Sequence, residues 1–316
     1  MTVLKSLTVA KSLWGVAEAG EPAKWDEMLG RIASEGYSLV ETILIFDFNQ
    51  DPVLFRQLLD KHGLGLIVQL HTGSDWNAFD YCTTCDVDAH VLSFRQLLES
   101  CLQHRPKIVN VHSGHDSWDL ATAVSYFQQV LAIEQELLVG DHADVLLVHE
   151  THRQRLLFSP YQAREVLSHP SLHALKINCD LSHWVCVCEK VFSVDDKRDA
   201  WWPAVLALVA RHCHLIHGRY GHAEGPQVID PRADAAKNEV AAHQAWWTAI
   251  FKNQQERGVT SVIVTEHGPE PYQSYDTPDG GASSLTDQEK SSLLWDINSF
   301  VKDSVSECYN SSLSTS

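Results

Sequence analysis

Four strand-like segments of the sequence each end on a side chain that can bind a metal ion. The segments read VLLVHE, INCD, CHLIH and SVIVTE, and they end on Glu150, Asp180, His217 and Glu266. Two glutamates, an aspartate and a histidine form a mostly oxygen ligand set, which suits Mn²⁺, Mg²⁺ or Co²⁺ and tolerates Fe²⁺ or Zn²⁺. We therefore predict one divalent metal ion held by these four residues, with Mn²⁺ as the favoured ion.

Three further histidines belong to the same pattern. His71 ends IVQLH and His112 ends IVNVH, while His183 follows Asp180 by three residues. Buried charges without a counterion are costly, so such clusters persist where a metal neutralises them. We expect His183 to hold substrate or to support the metal ligands. Five other histidines lie off the strand ends and are interpreted as surface or packing residues: His142, His149, His152, His169 and His173.

Strand-like and helix-like segments alternate eight times along the chain. Strands are predicted at 7–16, 38–45, 65–71, 107–112, 144–150, 174–180, 212–217 and 260–266. Helices are predicted at 22–34, 52–62, 88–104, 118–138, 161–167, 199–211, 234–257 and 285–302. The alternation predicts a single-domain α/β protein, a (β/α)₈ TIM barrel, in which all strand ends point into one funnel. An open doubly wound sheet is the alternative, but the G-x-G-x-x-G after the first strand that would favour it is absent.

The barrel is predicted to cover residues 1–303, with 304–316 as a polar, poorly ordered tail. Two long strand-to-helix connections, 72–87 and 218–233, should lie over the mouth of the barrel. Active sites of TIM barrels lie at this end of the strands.

Composition excludes several classes of partner. The formal net charge of −17 on 316 residues argues against nucleic acid, which is bound largely through Lys and Arg. Lys5 and Lys11 interrupt the N-terminal apolar residues, and no apolar run approaches the ~20 residues that cross a bilayer. We expect a cytoplasmic protein that binds no membrane and keeps its eight cysteines reduced. The sequence is also compatible with a homo-oligomer. Cys82 and Cys85 form a C-x-x-C without the second matching pair of a zinc ribbon.

Four motifs together resemble the xylose isomerase-like TIM barrels of the sugar phosphate isomerase/epimerase superfamily. They are VHETHR at 148–153, DLSHW at 180–184, IHGRYGHAEGPQV at 216–228 and TEHGPEPY at 265–272. The resemblance extends over roughly residues 8–300. It implies that Glu150, Asp180, His217 and Glu266 bind the metal and that His183 contacts substrate. Arg219 lies near the position of a substrate-binding arginine, although the local pattern differs from that of the family's epimerases.

The resemblance also implies a reaction. A divalent ion that chelates neighbouring carbonyl and hydroxyl oxygens makes the adjacent C–H more acidic and stabilises an enediolate. Glu150 and Glu266 are then expected to remove and return the proton, giving an isomerase or epimerase of a keto-sugar or polyol-like small molecule. Tryptophans at or just past strand ends are expected to form apolar walls for the sugar ring: Trp14, Trp184, Trp76 and Trp118.

Three alternatives stay open. A dehydratase or lyase of the same superfamily would expel a β-hydroxyl from the same enediolate. An endonuclease IV-like hydrolase would use His71 and His112 in a multinuclear zinc centre, but its Asp-x-His pair is replaced here by Asp230, Pro231 and Arg232. A non-catalytic metal-binding barrel would not need carboxylates that move protons. The sequence also lacks a phosphate-binding glycine run, which favours an unphosphorylated substrate.

Overall fold

The computed structural model describes residues 7–43, 50–73, 84–193, 196–275 and 284–314. Eight parallel strands form a closed barrel in chain order, with the first strand paired to the last. The strands are β1 (Thr8–Ser12), β2 (Leu39–Ile43), β3 (Gly65–His71), β4 (Ile108–His112), β5 (Leu146–Glu150), β6 (Ile177–Cys179), β7 (Cys213–Gly218) and β8 (Val262–Thr265). The predicted TIM barrel and its single domain are confirmed.

Helices cover the outside of the barrel. They are α1 (Trp25–Ser34), α2 (Pro52–His62), α3 (Val87–Leu102), α4 (Leu120–Leu137), α5 (Pro160–Leu167), α6 (Leu181–Val187), α7 (Trp202–His212), α8 (Lys237–Glu256) and α9 (Asp287–Ser314). Side chains cap α2 to α5 because Asp51, Asp86, Asp119 and Ser159 each accept a hydrogen bond from the backbone N–H three residues later. The short helix α6 is not predicted by the sequence pattern.

The barrel interior changes from apolar to polar along the strands. Its lower part is filled by Ala10, Ile67, Ile108, Val148, Leu215, Val262 and Val264. Successive residues of a strand face opposite sides, so the next inward position lies two residues later. On β5, β7 and β8 that position is Glu150, His217 and Glu266. The apolar layer therefore forms the floor beneath a polar layer at the C-terminal ends of the strands.

The end of the chain differs from the sequence-based expectation. Helix α9 continues to Ser314, whereas the serine-rich composition predicts a poorly ordered segment from residue 304. Val301, Val305, Cys308 and Ser312 are buried, and their spacing places them on one face of the helix. The ring of Tyr309 also packs edge-on against Phe251 of α8, with the ring centroids 5.6 Å apart. The buried face of α9 therefore continues through its last turns.

Within the described ranges, no helix combines the length and the apolar character that crossing a membrane requires. Cys85 is exposed and carries a free thiol, whereas Cys82 lies outside the described residues. The proposed C-x-x-C pair therefore stays a sequence-based observation.

Lys11 of β1 is a buried lysine on the outer face of the barrel. Its side chain is 1% exposed, and its Nζ lies 4.1 Å from the ring centroid of Trp295 and 5.4 Å from that of Tyr37. Burial lowers the pKa of Lys11 to about 7, although Glu35 opposes the shift. The unfolded chain has a lysine pKa of ~10.4. Between these two values the unfolded chain binds more protons than the folded one.

We expect Lys11→Met to remove a pH dependence of stability. Below about pH 7 both states of the wild-type protein carry the charge, and above it only the folded state releases the proton, so the contribution of Lys11 rises with pH. Urea unfolding measures the free energy of unfolding at about pH 6.5 and about pH 9.5. Between these pH values the wild type should gain stability relative to the variant by on the order of a few kcal/mol. Parallel pH profiles of the two proteins would contradict a neutral Lys11 in the fold.

Candidate functional site

Three carboxylates surround one imidazole at the C-terminal mouth of the barrel. The Nδ1 atom of His217 lies 2.7 Å from Glu266 Oε2, 3.6 Å from Glu150 Oε2 and 3.9 Å from Asp180 Oδ2. All four side chains are buried, with exposed fractions between 0% and 6%. The structure therefore brings together the four residues that the strand-end pattern singled out.

The spacing of these atoms fits a divalent ion. Ligand atoms at ~2.0 to 2.3 Å from one ion lie no more than ~4.6 Å apart, and the three distances to His217 Nδ1 satisfy this limit. Two groups within the cluster have ligand atoms within 4.8 Å of one another: Glu150, Asp180 and His217, and Glu41, His217 and Glu266. His217 Nδ1 and Glu266 Oε2 are both buried and lie 2.7 Å apart. Donor atoms in this arrangement are typical of a metal site.

The carboxylates carry more negative charge than the surrounding side chains neutralise. Burial raises the pKa of Glu41, Glu150 and Asp180, because each loses its hydration and lies near other carboxylates. For Asp180 the neighbouring Arg219 works against this rise. A divalent cation would supply the missing positive charge and keep these groups ionised.

His217 and Glu266 shift each other's pKa in opposite directions. Burial alone would lower the pKa of His217, but Glu266, Glu41 and Glu150 raise it well above its usual value. Burial likewise opposes ionisation of Glu266, but His217 and Arg219 outweigh it and lower the pKa of Glu266 to about 2. Without a metal ion, a protonated His217 partly neutralises the surrounding carboxylates.

Arg219 provides the second cation. Its side chain is 2% exposed and forms ion pairs with Asp180 and Glu266, the latter at 3.5 Å. Its Nε donates to Ser182 Oγ at 3.1 Å, and its terminal nitrogen donates to His183 Nε2 at 2.9 Å. The arginine therefore joins the carboxylates to the first turn of α6.

A polar layer one step deeper supports the strand-end carboxylates. Asn110 and Asn178 donate to Glu150 Oε2 at 2.6 and 3.2 Å, and Gln69 donates to Glu266 Oε1 at 3.4 Å. Glu41 Oε1 lies 3.1 Å from His217 Nε2 and fixes that ring through the nitrogen opposite to the one that faces Glu150, Asp180 and Glu266. Sequence analysis missed these four residues. The available signal was a single polar residue at an inward position of an otherwise apolar strand, as in VETI and IVNVH.

Asp180 has two structural tasks, which explains the DLSHW motif. Its Oδ1 accepts from the Ser182 backbone N–H at 3.0 Å and caps α6, while its Oδ2 faces His217 and Arg219. His183 lies in the first turn of α6, with Nε2 3.5 Å from Asp180 Oδ2. Because that Nε2 accepts a hydrogen bond from Arg219, the hydrogen of the neutral ring lies on Nδ1. Nδ1 is buried without a hydrogen-bond partner in the described part of the chain.

Four imidazole rings form a row along the mouth. His71 stacks on His112 at a centroid distance of 4.0 Å, His112 lies 4.6 Å from His152, and His152 lies 3.8 Å from His183. His112 Nε2 is 2.9 Å from Glu150 Oε2. Burial lowers the pKa of all four rings well below the usual value, which favours neutral imidazoles. His152, which the sequence pattern assigned to the surface or to packing, is buried within this row.

Aromatic rings define one side of the mouth. Half-buried Trp14 packs edge-on against Tyr272 at 5.0 Å, and the Arg219 guanidinium lies 5.0 Å from the Tyr272 ring centroid. Gly268 permits this arrangement, since a Cβ there would lie 2.1 Å from the Trp14 ring. Trp184 differs from the expected apolar wall. It is fully buried, donates its indole N–H to Leu157 O and packs against Trp202 in the outer core.

Residues 218–233 form a tethered segment at the same end of the barrel. Gln227 donates to Gly268 O at 2.9 Å and accepts from the Gly268 N–H at 2.8 Å. Gly221 lies so close to α6 that a Cβ would come within 2.7 Å of Ser182 O. Most of the other long connection, 74–83 with Trp76, lies outside the described residues.

Solved structures of other proteins share this architecture. An L-ribulose 3-epimerase is 12% identical over 98% of both chains with a TM-score of 0.58. The IolI protein with a bound zinc atom is 13% identical over 95% of this chain and 98% of that one, also at 0.58. The probable 3-DHS dehydratase AsbF from Bacillus anthracis is 11% identical over 91% and 97%, at 0.52. No family model and no curated protein matches the sequence. At these identities the likeness establishes the fold.

Proposed function

We propose that this chain, which has the fold of the xylose isomerase-like TIM barrels, is a divalent-metal-dependent isomerase or epimerase of a small keto-sugar or polyol-like molecule. One observation carries the proposal. Glu150, Asp180 and Glu266 converge on Nδ1 of His217 at 2.7 to 3.9 Å, at the C-terminal end of the barrel strands. These four residues would hold the ion, with Mn²⁺ favoured by three carboxylate donors.

The bound ion would polarise neighbouring carbonyl and hydroxyl oxygens of the substrate and increase the acidity of the adjacent C–H. Glu150 at the end of β5 and Glu266 just past β8 approach His217 from two strands that are separated in the barrel by β6 and β7. One carboxylate can therefore accept a proton from one face of a bound sugar, while the other, in its protonated form, donates a proton to the opposite face. The amides of Asn110, Asn178 and Gln69 hold the two carboxylates in place.

The remaining polar groups would position the substrate. Nδ1 of His183 can donate a hydrogen bond to an oxygen whose negative charge grows in the transition state. Trp14, with Tyr272 beside it, offers an apolar surface for the sugar ring. Arg219, His71 and His112 line the same mouth and are proposed to contact substrate.

The function is tested by a screen in heavy water. Mn²⁺-loaded protein would be incubated with keto-sugars and cyclic polyols, and products would be examined for deuterium at the carbon next to the carbonyl. Deuterium in an isomerised product supports the proposal, and its presence in a dehydrated product would identify the dehydratase alternative. Metal-loaded protein that exchanges no C–H in any candidate would overturn it.

We expect each chain to bind one Mn²⁺ ion through the four strand-end residues. His217→Ala should weaken Mn²⁺ binding at least ~100-fold, because it removes the only nitrogen donor of the set and the atom on which the others converge. Elemental analysis and isothermal titration measure this directly. His173→Ala, an exposed histidine, is the matched control and should bind like the wild type. Equal affinity in both variants would rule out the assigned ligand set.

We expect His183→Ala to lower kcat/KM by ~10² or more, which is the effect of losing one donor to a developing oxyanion. Its metal content should stay close to that of the wild type, since His183 contacts Arg219 and Asp180 at the edge of the ligand set. Activity and elemental analysis on the same sample separate the two effects. Loss of metal with retained activity per bound ion would make His183 a ligand, and no change in either would make it a packing residue.

A further inference from the structure

Arg153 is a half-buried arginine at the rim of the candidate site. It lies three residues past Glu150, in the segment that follows β5. Its guanidinium carbon lies 4.8 Å from the ring centroid of Tyr272, and its Nη1 lies 3.9 Å from Cys186 Sγ, a weak acceptor. Within the part of the chain that the structure describes, the side chain forms no ion pair and donates only to this sulfur. Most of its donors are therefore available.

Such an arginine is unusual in this chain. Among the described residues, eight other arginines pair with a carboxylate: Arg31, Arg56, Arg95, Arg105, Arg164, Arg198, Arg219 and Arg232. With 41 acidic against 24 basic residues, carboxylate partners are abundant. A half-buried guanidinium without one keeps its charge and its donors for an anion from outside the chain.

Arg153 shares the ring of Tyr272 with the polar residues of the site. The Arg219 guanidinium lies 5.0 Å from the centroid of that ring, and the imidazole of His183 lies 6.3 Å from it, edge-on. Burial is the main cause that lowers the pKa of His183, and the charges of Arg219 and Arg153 add to the shift. Asp180 and Glu266 neutralise Arg219, whereas no described carboxylate pairs with Arg153. This edge of the site therefore presents a cation without a counterion.

The contact with Tyr272 holds the guanidinium and leaves its edge accessible to a ligand. An aromatic ring attracts a guanidinium through the face of its π system. The N–H donors lie in the guanidinium plane, in a fork that matches the two oxygens of a carboxylate. The backbone of Arg153 is held as well, because its carbonyl oxygen accepts a hydrogen bond from His152 Nδ1 at 2.5 Å. The charged group is thus positioned before a substrate binds.

We propose that Arg153 binds a carboxylate group of the substrate, so that the site takes an acidic keto-sugar in preference to a neutral one. The inference rests on the proposed function, since it names the substrate class of that same site. One guanidinium supplies the two parallel donors that a carboxylate requires. A phosphate group is typically held by a glycine-rich turn at a helix N-terminus, and the sequence has no such run after the last two strands.

A carboxylate bound at Arg153 would set the direction of the substrate in the barrel. Arg153 lies at the rim, and the ring that it shares with Arg219 lies beside the carboxylates of Asp180 and Glu266. A sugar held at the rim by its acid group would extend its carbonyl and hydroxyl oxygens toward the metal ligands. Binding energy from this non-reacting end would then orient the reacting carbon.

A binding cycle tests the contact without turnover. Gluconate and glucitol share a six-carbon polyol chain and differ in one terminal group, a carboxylate or a hydroxymethyl group. Isothermal titration would measure both with Mn²⁺-loaded wild type and Arg153→Met, with metal content checked by elemental analysis and folding by circular dichroism. The substitution should weaken gluconate binding ~10- to 100-fold more than glucitol binding, because charge-assisted hydrogen bonds are lost. Arg153→Lys, which keeps the charge without the fork, should restore part of the difference.

Arg211→Met is the matched control for charge. Arg211 is an exposed arginine in the last turn of α7, away from the mouth, so its replacement changes the net charge equally and should leave both affinities at the wild-type values. Equal losses for gluconate and glucitol in Arg153→Met, or no binding of gluconate by the metal-loaded wild type, would overturn the inference. Tighter binding of glucitol 6-phosphate than of gluconate, lost in Arg153→Met, would overturn the carboxylate in favour of a phosphate.

Turnover distinguishes this inference from the proposed function. D-fructose and D-fructuronate differ only at one terminal carbon, and the wild type should exchange the C–H of fructuronate with a kcat/KM at least ~10-fold higher. The ratio of the two values should fall in Arg153→Met. A gluconate preference that depends on Arg153, without C–H exchange in any sugar, would refute the proposed function alone. C–H exchange in neutral and acidic sugars with a ratio that does not depend on Arg153 would refute the inference alone.

Discussion

Replacement of Glu266 by glutamine is expected to lower kcat/KM by ~10³, within the range of ~10² to 10⁴ for loss of a group that transfers a proton in the transition state. Glutamine keeps the size of the side chain but cannot take up a proton. Glu266 belongs to one of the metal-capable groups and Glu150 to two of them, so replacement of Glu266 is easier to interpret. The measurement is turnover together with deuterium exchange at the carbon next to the carbonyl.

Two controls separate proton transfer from metal loss. The Mn²⁺ content of Glu266→Gln must be determined in the assay buffer, because one carboxylate oxygen is also a proposed ligand. Glu270→Gln changes a neighbouring surface carboxylate that pairs with Lys290, and it should retain wild-type turnover. A Glu266→Gln protein that is metal-loaded and fully active would exclude Glu266 from proton transfer.

Replacement of Arg219 by methionine is expected to destabilise the metal-free protein by about 3 to 5 kcal/mol. Removing one partner of a buried ion pair leaves an uncompensated charge, and Arg219 faces Asp180 and Glu266 with only 2% of its side chain exposed. Added Mn²⁺ should reduce the difference, because the ion neutralises the same carboxylates and stabilises the folded state by binding to it. Urea unfolding with chelator and with Mn²⁺ measures both effects.

Arg198→Met is the matched control for this experiment. Arg198 also pairs with an aspartate, Asp196, but its side chain is 82% exposed. Exposed ion pairs contribute little, so this variant should lie within ~1 kcal/mol of the wild type. Equal stability of Arg219→Met and wild type in chelator would show that the buried carboxylates do not need the guanidinium.

The fold was predictable because its signal repeats. Eight apolar segments alternate with amphipathic ones, and the segments 65–71 and 52–62 coincide with β3 and α2. Helix α6 was missed because its seven residues directly follow a strand without any connecting segment. The last turns of α9 were missed because composition describes an average, whereas burial depends on which positions face the neighbouring helix.

The site was predictable where strand geometry alone decides direction. Glu150, His217 and Glu266 occupy inward positions that follow from the two-residue period, so their convergence could be inferred. The deeper residues Asn110 and Glu41 obey the same period, but a pattern built on strand ends does not reach them.

Beyond the strand ends the period no longer applies. His152 lies two residues past β5, where the backbone turns, and its side chain direction depends on the hydrogen bond to Arg153. Trp184 lies in α6, whose axis decides that the indole points to the outer core. Residues after a strand therefore need the three-dimensional path of the chain before they can be assigned.

The double task of Asp180 restricts which substitutions the chain can tolerate at that position. Glutamate would keep the charge, but its longer side chain is a poor helix cap, and asparagine would cap α6 without supplying a charged oxygen. Only a short carboxylate satisfies both demands, because β6 passes into α6 within one residue. The longer glutamates lie where β5 and β8 run into loops. At these three positions, the choice between aspartate and glutamate therefore depends on how abruptly each strand ends.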